Sequence, residues 1–321
     1  MPQRRKLTFQ LLSLVIGLLV LAACANSNPI DTTNLITFKH RTGVFSLQVP
    51  KAWTQTQDEV QTESLAAFAD PGGQAELIAY AGLLDHQLTP DEGQQIVANL
   101  VKNLLNAPGD LSITDQQQQP DGAFTAALSF TRGSEKRSGI AIFHDDQLAL
   151  AGVILSGPET GWADFQKAMQ PVLDSFDVKP DFVQGTYFAP LEGGLYAIAV
   201  PADWPSQPGA NFKKLRSPDG HLQIVMAQKI EVQALGTDQL AEAGRQLAQE
   251  ALGKGTLTAT ERLPDGRVKV HIDRGADSTI GYLDQKDGAV IGLFFDVPAD
   301  RTADYQPFID YIYSTYITGK P

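Results

Sequence analysis

Few residues in this chain are of a type and spacing that does chemistry. Its five histidines, His40, His86, His144, His221 and His271, stand far apart, and no two form a His-Glu-x-x-His or other close ligand pair. His144-Asp145-Asp146 sets one imidazole beside two carboxylates, and the carboxylates would suit a hard cation. Adjacent residues at a hairpin tip rarely converge on one ion, so a polar turn is the expectation there. Nucleophiles are equally sparse. There is no Gly-x-Ser-x-Gly elbow, no Ser-x-x-Lys pair, no Gly-x-Gly-x-x-Gly and no P-loop. The expectation is no catalytic residue, no metal ligand, no cofactor and no enzyme. The alternative from another class is a hydrolase whose triad assembles from distant residues, since such triads are defined by geometry and not by sequence position.

The one cysteine, Cys24, ends the run Leu21-Ala22-Ala23-Cys24. Ahead of it lie an apolar stretch, Leu11 to Leu21, and a basic start, Arg4-Arg5-Lys6. A basic n-region, an apolar h-region and a small-residue cleavage site make a secretory signal, here residues 1–23. Leu7 to Ala23 is 17 residues and holds Thr8, Gln10 and Ser13, short of the ~20 apolar residues of a spanning helix. With cysteine directly after the small residues, the site resembles the lipobox of bacterial lipoproteins. That resemblance implies lipidation of Cys24 (the palmitate of a lipoprotein), a mature chain starting there, and attachment to a bacterial membrane on its extracytoplasmic side. Residues 24–35 then read as a polar tether. The stretch Cys24 to Asn34, at about 3.5 Å per residue, would reach roughly 40 Å from the bilayer.

A lone cysteine cannot close an internal disulfide, so stability must come from packed cores. The formal charge is −12, from 25 basic and 37 acidic side chains; without Arg4, Arg5 and Lys6 it is −15. A strongly acidic chain disfavours nucleic acid and anionic lipid headgroups as partners. The acidity is uneven: residues 36–178 carry 8 basic and 18 acidic side chains, residues 181–321 carry 13 and 18.

The elements that position these residues come in two copies. Gly43-Val-Phe-Ser-Leu-Gln-Val-Pro50-Lys-Ala-Trp53 reads again as Gly194-Leu-Tyr-Ala-Ile-Ala-Val-Pro201-Ala-Asp-Trp204. Pro71-Gly72-Gly73 returns as Pro218-Asp219-Gly220, Pro120-Asp121-Gly122 as Pro264-Asp265-Gly266, and Gly152-Val153-Ile154 as Gly292-Leu293-Phe294. Ala163-Asp164-Phe165 returns as Ala303-Asp304-Tyr305, and Phe176 falls on Tyr316. Ordered matches of this kind mark an internal repeat. Two domains are expected, 36–178 and 183–318, joined through Asp177-Val-Lys-Pro-Asp181 and with separate cores.

Within each copy, Phe45, Leu47 and Val49, or Tyr196, Ile198 and Val200, alternate as in a half-buried strand that ends at proline. A hairpin follows around Asp70-Pro71-Gly72-Gly73 or Ser217-Pro218-Asp219-Gly220. Thr89-Pro90-Asp91-Glu92 starts a helix with a capping box, and Ile96, Val97, Leu100, Val101, Leu104 and Leu105 form its apolar stripe. The matching helix from Thr237 lacks the glutamate, so its first turn is expected to be held less firmly. Four strands are expected near 111–117, 123–131, 138–144 and 148–155, and again near 256–262, 267–273, 278–284 and 288–296. A terminal helix closes each copy, with Phe165, Met169, Val172, Leu173 and Phe176 on one face, or Tyr305, Phe308, Ile309, Ile312 and Tyr316. Pro171 should kink the first of these or delay its start.

Hairpin-linked strands with interspersed helices predict an α+β fold: two tandem domains, each an antiparallel sheet packed with helices. The strand Gly43, Phe45, Leu47, Val49, Pro50, Trp53 and its copy Gly194, Tyr196, Ile198, Val200, Pro201, Trp204 resemble the PsbP-like family, an α/β sandwich found in the photosystem subunit PsbP and in bacterial lipoproteins. The resemblance covers both copies and implies no functional residues, because the shared pattern marks core and turn positions. Trp53 and Trp204 are expected to seal their cores. Trp162 has Thr302 in the matching place and is a surface candidate, though packing on its own domain is the expectation. Lys213, Lys214 and Arg216 form a basic spot that could meet an acidic partner, against the default of a solvated strand. The reading is a lipid-anchored extracytoplasmic protein that acts by binding, its partner a membrane complex, a cell-envelope component or a small ligand between the domains. A passive spacer is the remaining alternative.

Overall fold

A computed structural model describes residues 30–60, 63–106, 109–146, 148–179, 183 and 186–319. The signal peptide, Cys24 and the tether as far as residue 29 lie outside the described residues, as does much of the joint, residues 180–182.

The first half runs β1 (Leu35–Lys39), β2 (Phe45–Pro50), β3 (Thr54–Val60), β4 (Glu63–Ala69), β5 (Glu76–Leu83), helix α1 (Pro90–Leu104), β6 (Ser112–Gln118), β7 (Phe124–Arg132), β8 (Glu135–Asp146), β9 (Ala149–Pro158), helix α2 (Trp162–Leu173) and β10 (Asp177–Val178). The second half repeats the order: β11 (Phe188–Glu192), β12 (Tyr196–Pro201), β13 (Ser206–Pro208), β14 (Phe212–Arg216), β15 (Gln223–Ile230), helix α3 (Thr237–Leu252), β16 (Thr256–Arg262), β17 (Val268–Asp273), β18 (Asp277–Lys286), β19 (Ala289–Pro298), a 3-10 turn Ala299–Arg301, helix α4 (Gln306–Ser314) and β20 (Ile317–Thr318).

Each half forms a seven-stranded and a three-stranded sheet. The large sheets are ordered β3-β4-β5-β9-β8-β7-β6 and β13-β14-β15-β19-β18-β17-β16; the small ones are β1-β2-β10 and β11-β12-β20. The two orders correspond strand for strand, and every described pairing is antiparallel. This is an α+β fold in two tandem domains. The Phe-Ser-Leu-Gln-Val strand and its copy do not join the large sheets. They pair with β10 or β20, so Asp177 and Val178 of the expected joint are strand residues opposite Ser46 and Phe45.

Layering explains the sequence of the central strands. Period-two alternation sends successive side chains to opposite faces. In β4 and β5, Leu65, Ala67, Ile78 and Tyr80 pack under α1 with Val97, Val101 and Phe124. Their neighbours Ala66, Phe68, Leu77, Ala79 and Ala81 pack under the small sheet and α2 with Leu47, Met169 and Val172. A strand covered on both faces reads as a continuous apolar run, as β9 does from Ala149 to Leu155. The second domain builds the same two cores, one under α3 and one under α4.

Several local expectations are met differently. Helix α2 starts at Trp162 and contains Pro171, which falls in the last turn, two residues before the helix ends. Helix α3 has its cap at Gly236, whose N–H donates to Gln239 Oε1 at 3.0 Å. Glutamine thus supplies the backward half of a capping box, as glutamate would. Residues 30–34, read as tether, lie against the first domain: Ile30 packs on its core, and the Trp53 indole donates to the Asp31 carbonyl at 2.9 Å.

The cores of the two domains are not separate. Leu148 of the first domain is buried in the core under α4, and Leu83 packs there also. Phe188 packs against cores of both domains, and Tyr187 donates its hydroxyl to the Ala81 carbonyl at 2.6 Å. No helix among the described residues is long and apolar enough to cross a membrane.

Candidate functional site

Two segments meet at the seam between the domains. One is the connection from β5 to α1. Its path is set by Leu84 N–H donating to the Leu148 carbonyl (2.8 Å), Leu88 N–H donating to Asp145 Oδ2 (2.9 Å), and the cap at Thr89. It carries Asp85 and His86. The other is the Ser217-Pro218-Asp219-Gly220 turn between β14 and β15. Asp219 Oδ1 accepts the His221 N–H at 3.0 Å and the Ser217 hydroxyl, Ser217 Oγ accepts the Leu222 N–H at 3.0 Å, and Gly220 takes a φ of 82° that favours glycine. These bonds hold the internal shape of the turn and leave the second carboxylate oxygen of Asp219 available.

The seam is held by charge and backbone contacts. Arg301, in the 3-10 turn of the second domain, makes a two-pronged pair with Glu92 of the first, with Nη2 to Oε2 at 2.8 Å, and its Nε reaches Asp304 Oδ2 at 2.9 Å. Gln87 N–H donates to the Asp304 carbonyl at 3.0 Å. The His86 ring sits 4.9 Å from the Tyr305 ring, centroid to centroid, with Nδ1 2.6 Å from Asp85 Oδ1 and Nε2 3.8 Å from Glu92 Oε1. Burial alone pushes the His86 pKa down; the hydrogen bond and charge of Asp85, with Glu92, outweigh burial and the opposing Arg301, so the net direction is upward. Tyr305 is fully buried, and its hydroxyl has no hydrogen-bond partner. Burial first, then the charges of Asp85 and Asp219, hold its phenol well above the ordinary tyrosine value.

A cleft of about 260 Å³ opens at this seam. Tyr80, Leu83, Leu84, Ile96 and Trp204 supply apolar wall, and Asp85, His86, Asp203 and Asp219 supply polar wall. At ~30 Å³ per water the cleft has room for a hydrated ion or a side-chain-sized group. His86 with Asp85 resembles the orienting half of a hydrolytic triad. The other ring nitrogen faces Glu92 and no hydroxyl or thiol is paired with it, so among the described residues no nucleophile completes the set.

The residues singled out in the sequence fall elsewhere. His144 is exposed on β8, and Asp145 accepts the Leu88 N–H, which ties it to the connection from β5 to α1. His40 is buried beside Thr42, and His271 is in mid-strand. Trp53 and Trp204 are 7% and 6% exposed, and Trp204 stacks on Phe308 at 5.5 Å. Trp162 packs on its own domain beside Phe165. Lys213 and Lys214 do not form one basic spot. Neighbours on a strand face opposite ways; Lys214 reaches the Ala251 carbonyl at 3.4 Å near the end of α3, and Arg216 turns to the Gly220 carbonyl at 3.2 Å. The site missed was Asp85-His86 with Asp219. The adjacency Asp85-His86 just before a capping box was visible, but nothing local ties it to a turn of the other repeat.

No protein-family model matches the chain, and neither does any curated protein. Among solved structures it is similar to the cyanobacterial PsbP protein of Synechocystis, at 17% identity and a TM-score of 0.36, over 49% of this chain and 97% of that one. It is also similar to a Bacteroides thetaiotaomicron protein, at 12% identity and a TM-score of 0.29, over 68% of this chain and 62% of that one. LpqN, involved in cell envelope biogenesis of Mycobacterium tuberculosis, is similar at 13% identity and a TM-score of 0.23, over 46% of this chain and 91% of that one.

Proposed function

We propose that the mature chain is a lipid-anchored extracytoplasmic binding protein, held to a bacterial membrane through lipid on Cys24. Its tandem PsbP-like domains act together on a partner in a membrane complex or the cell envelope. The observation that carries this reading is the cleft at the seam, where an apolar wall meets convergent polar groups from both domains, the usual make-up of a binding site. The leader Arg4 to Cys24 supports the location. Residues 30–34 pack on the first domain, so the part of the sequence that could serve as tether is at most residues 24–29, about 20 Å at ~3.5 Å per residue. That is half the reach the sequence suggests.

The test has two arms. Cys24→Ser should release the protein from membranes or leave the leader uncleaved; normal mature mass in the membrane fraction refutes the anchor. Co-purification from detergent-solubilised membranes should yield a partner with the unaltered chain and lose it with Ile96→Lys, which charges the cleft wall at a partly buried position. Recovery of the same partner from both refutes the cleft as the binding site. Turnover of a defined substrate, lost on changing one side chain, refutes the binding class.

A further inference from the structure

We propose that Asp85, His86 and Asp219 form a site for a divalent transition-metal cation of the zinc class, which clasps the two domains at the cleft. One ligand atom from each of the three lies within 4.8 Å of the others. Bonds of about 2.0–2.2 Å to imidazole nitrogen and carboxylate oxygen place ligand atoms about 3.3–3.5 Å apart in a tetrahedron, so closure of about an ångström completes the triad. Asp219 is exposed and on a turn, so it can supply that movement. One imidazole with two carboxylates suits zinc, whereas calcium asks for six to eight oxygens.

Two further observations point to an occupant. Asp85 Oδ2 and the Tyr305 hydroxyl are both buried without a hydrogen-bond partner, and Tyr305 lies fully inside against His86. Buried polar atoms left unpaired call for an ion or an ordered water. A cation would take the spare Asp85 oxygen, and a water in its open position could accept from Tyr305. The charge balance agrees: Arg301 pairs with Glu92 and Asp304, while Asp85, Asp203 and Asp219 add further carboxylates to the cleft wall. Binding requires a neutral imidazole, so a proton leaves as the cation enters. The site joins residues of both domains and is independent of whether the cleft also takes a partner.

The experiment uses the full-length protein in detergent, stripped with a chelator and titrated with zinc chloride by calorimetry, with metal content measured after gel filtration. One zinc per chain is expected, with a rise in the thermal midpoint. Asp219→Asn keeps the turn, because an amide oxygen can still accept from His221 N–H and Ser217, and should weaken binding at least tenfold. His86→Gln should do the same, while His144→Ala and His221→Ala, at exposed positions, should leave it unchanged. Absence of saturable binding, or binding indifferent to both Asp219→Asn and His86→Gln, overturns the proposal. Tighter binding of calcium than of zinc overturns the assigned class.

Discussion

Glu92 does two jobs, and one substitution separates them. As residue N3 of α1 its carboxylate accepts the Thr89 N–H at 3.0 Å and the Thr89 hydroxyl at 2.8 Å; it also meets the Arg301 guanidinium 209 positions away. Glu92→Gln should preserve the cap, since glutamine serves at N3 and Gln239 does so in α3. It removes the charge that faces Arg301 and His86. Exposed ion pairs give about 0.2–1 kcal/mol in double-mutant cycles, and breaking a buried one costs about 3–5 kcal/mol. The Arg301 and Glu92 side chains are 24% and 31% exposed and meet through two nitrogens and two oxygens, which places the coupling at about 1–2 kcal/mol, roughly 5–30-fold in the unfolding constant. Urea unfolding of the native chain, Glu92→Gln, Arg301→Gln and the double variant measures it. The sign with pH follows from Glu92. Burial raises its pKa, but the Thr89 N–H and hydroxyl and then Arg301 lower it further, so the net shift is down. Stability from a depressed carboxylate is present above the unfolded value of 4.5 and is lost as pH falls through the folded one. The coupling should therefore hold at pH 6 and vanish in strong acid. Additivity of the two single variants within about 0.3 kcal/mol at pH 6 would refute the latch.

Three other outcomes are expected. Trp53→Ala and Trp204→Ala should each cost about 3–5 kcal/mol by urea unfolding, since both rings are buried; a cost under 1 kcal/mol would show that they are not core residues. In chelator, the stability difference between the native chain and His86→Gln should shrink from pH 6 to pH 8: the His86 pKa is raised by Asp85 and Glu92 against burial and Arg301, beside Asp219 and Tyr305, so its contribution is full below the unfolded value of 6.5 and fades as pH rises through the folded one. A growing difference contradicts this. Gly93→Ala puts a methyl 2.1 Å from the fully buried Phe124 ring, so the ring or the helix must shift; a loss of about 1–3 kcal/mol is expected despite alanine's better helix propensity, and a gain would contradict the packing.

Periodicity and punctuation made most of the fold legible. The alternation Phe45, Leu47, Val49 marks a strand because its side chains must face one core, and the Thr89–Glu92 box marks a helix start because both partners lie within four residues. The hairpin at Asp70-Pro71-Gly72-Gly73 was legible because Asp70 satisfies the turn's own N–H groups, accepting from Gly72 at 2.9 Å and Ala75 at 2.6 Å. These are local interactions, and a repeat shows them twice. The edge strands β1, β3, β11 and β13 were not legible, because their largely exposed side chains show no apolar alternation, and neither were β10 and β20, because two residues show no period and their partners β2 and β12 lie far back in the chain.

What the sequence by itself determined is the succession of the helices and of the inner strands, the duplication and the apolar faces, read from patterns among neighbours a few residues apart. What only the tertiary structure decided is how one copy sits on the other. Leu148 is buried in the partner domain's core, Arg301 finds Glu92, and Asp85 and His86 face Asp219. Those contacts depend on how the two domains pack on each other. Surface side chains on separate hairpins and turns carry no periodic mark of that packing, so the cleft exists only once both domains have folded and docked.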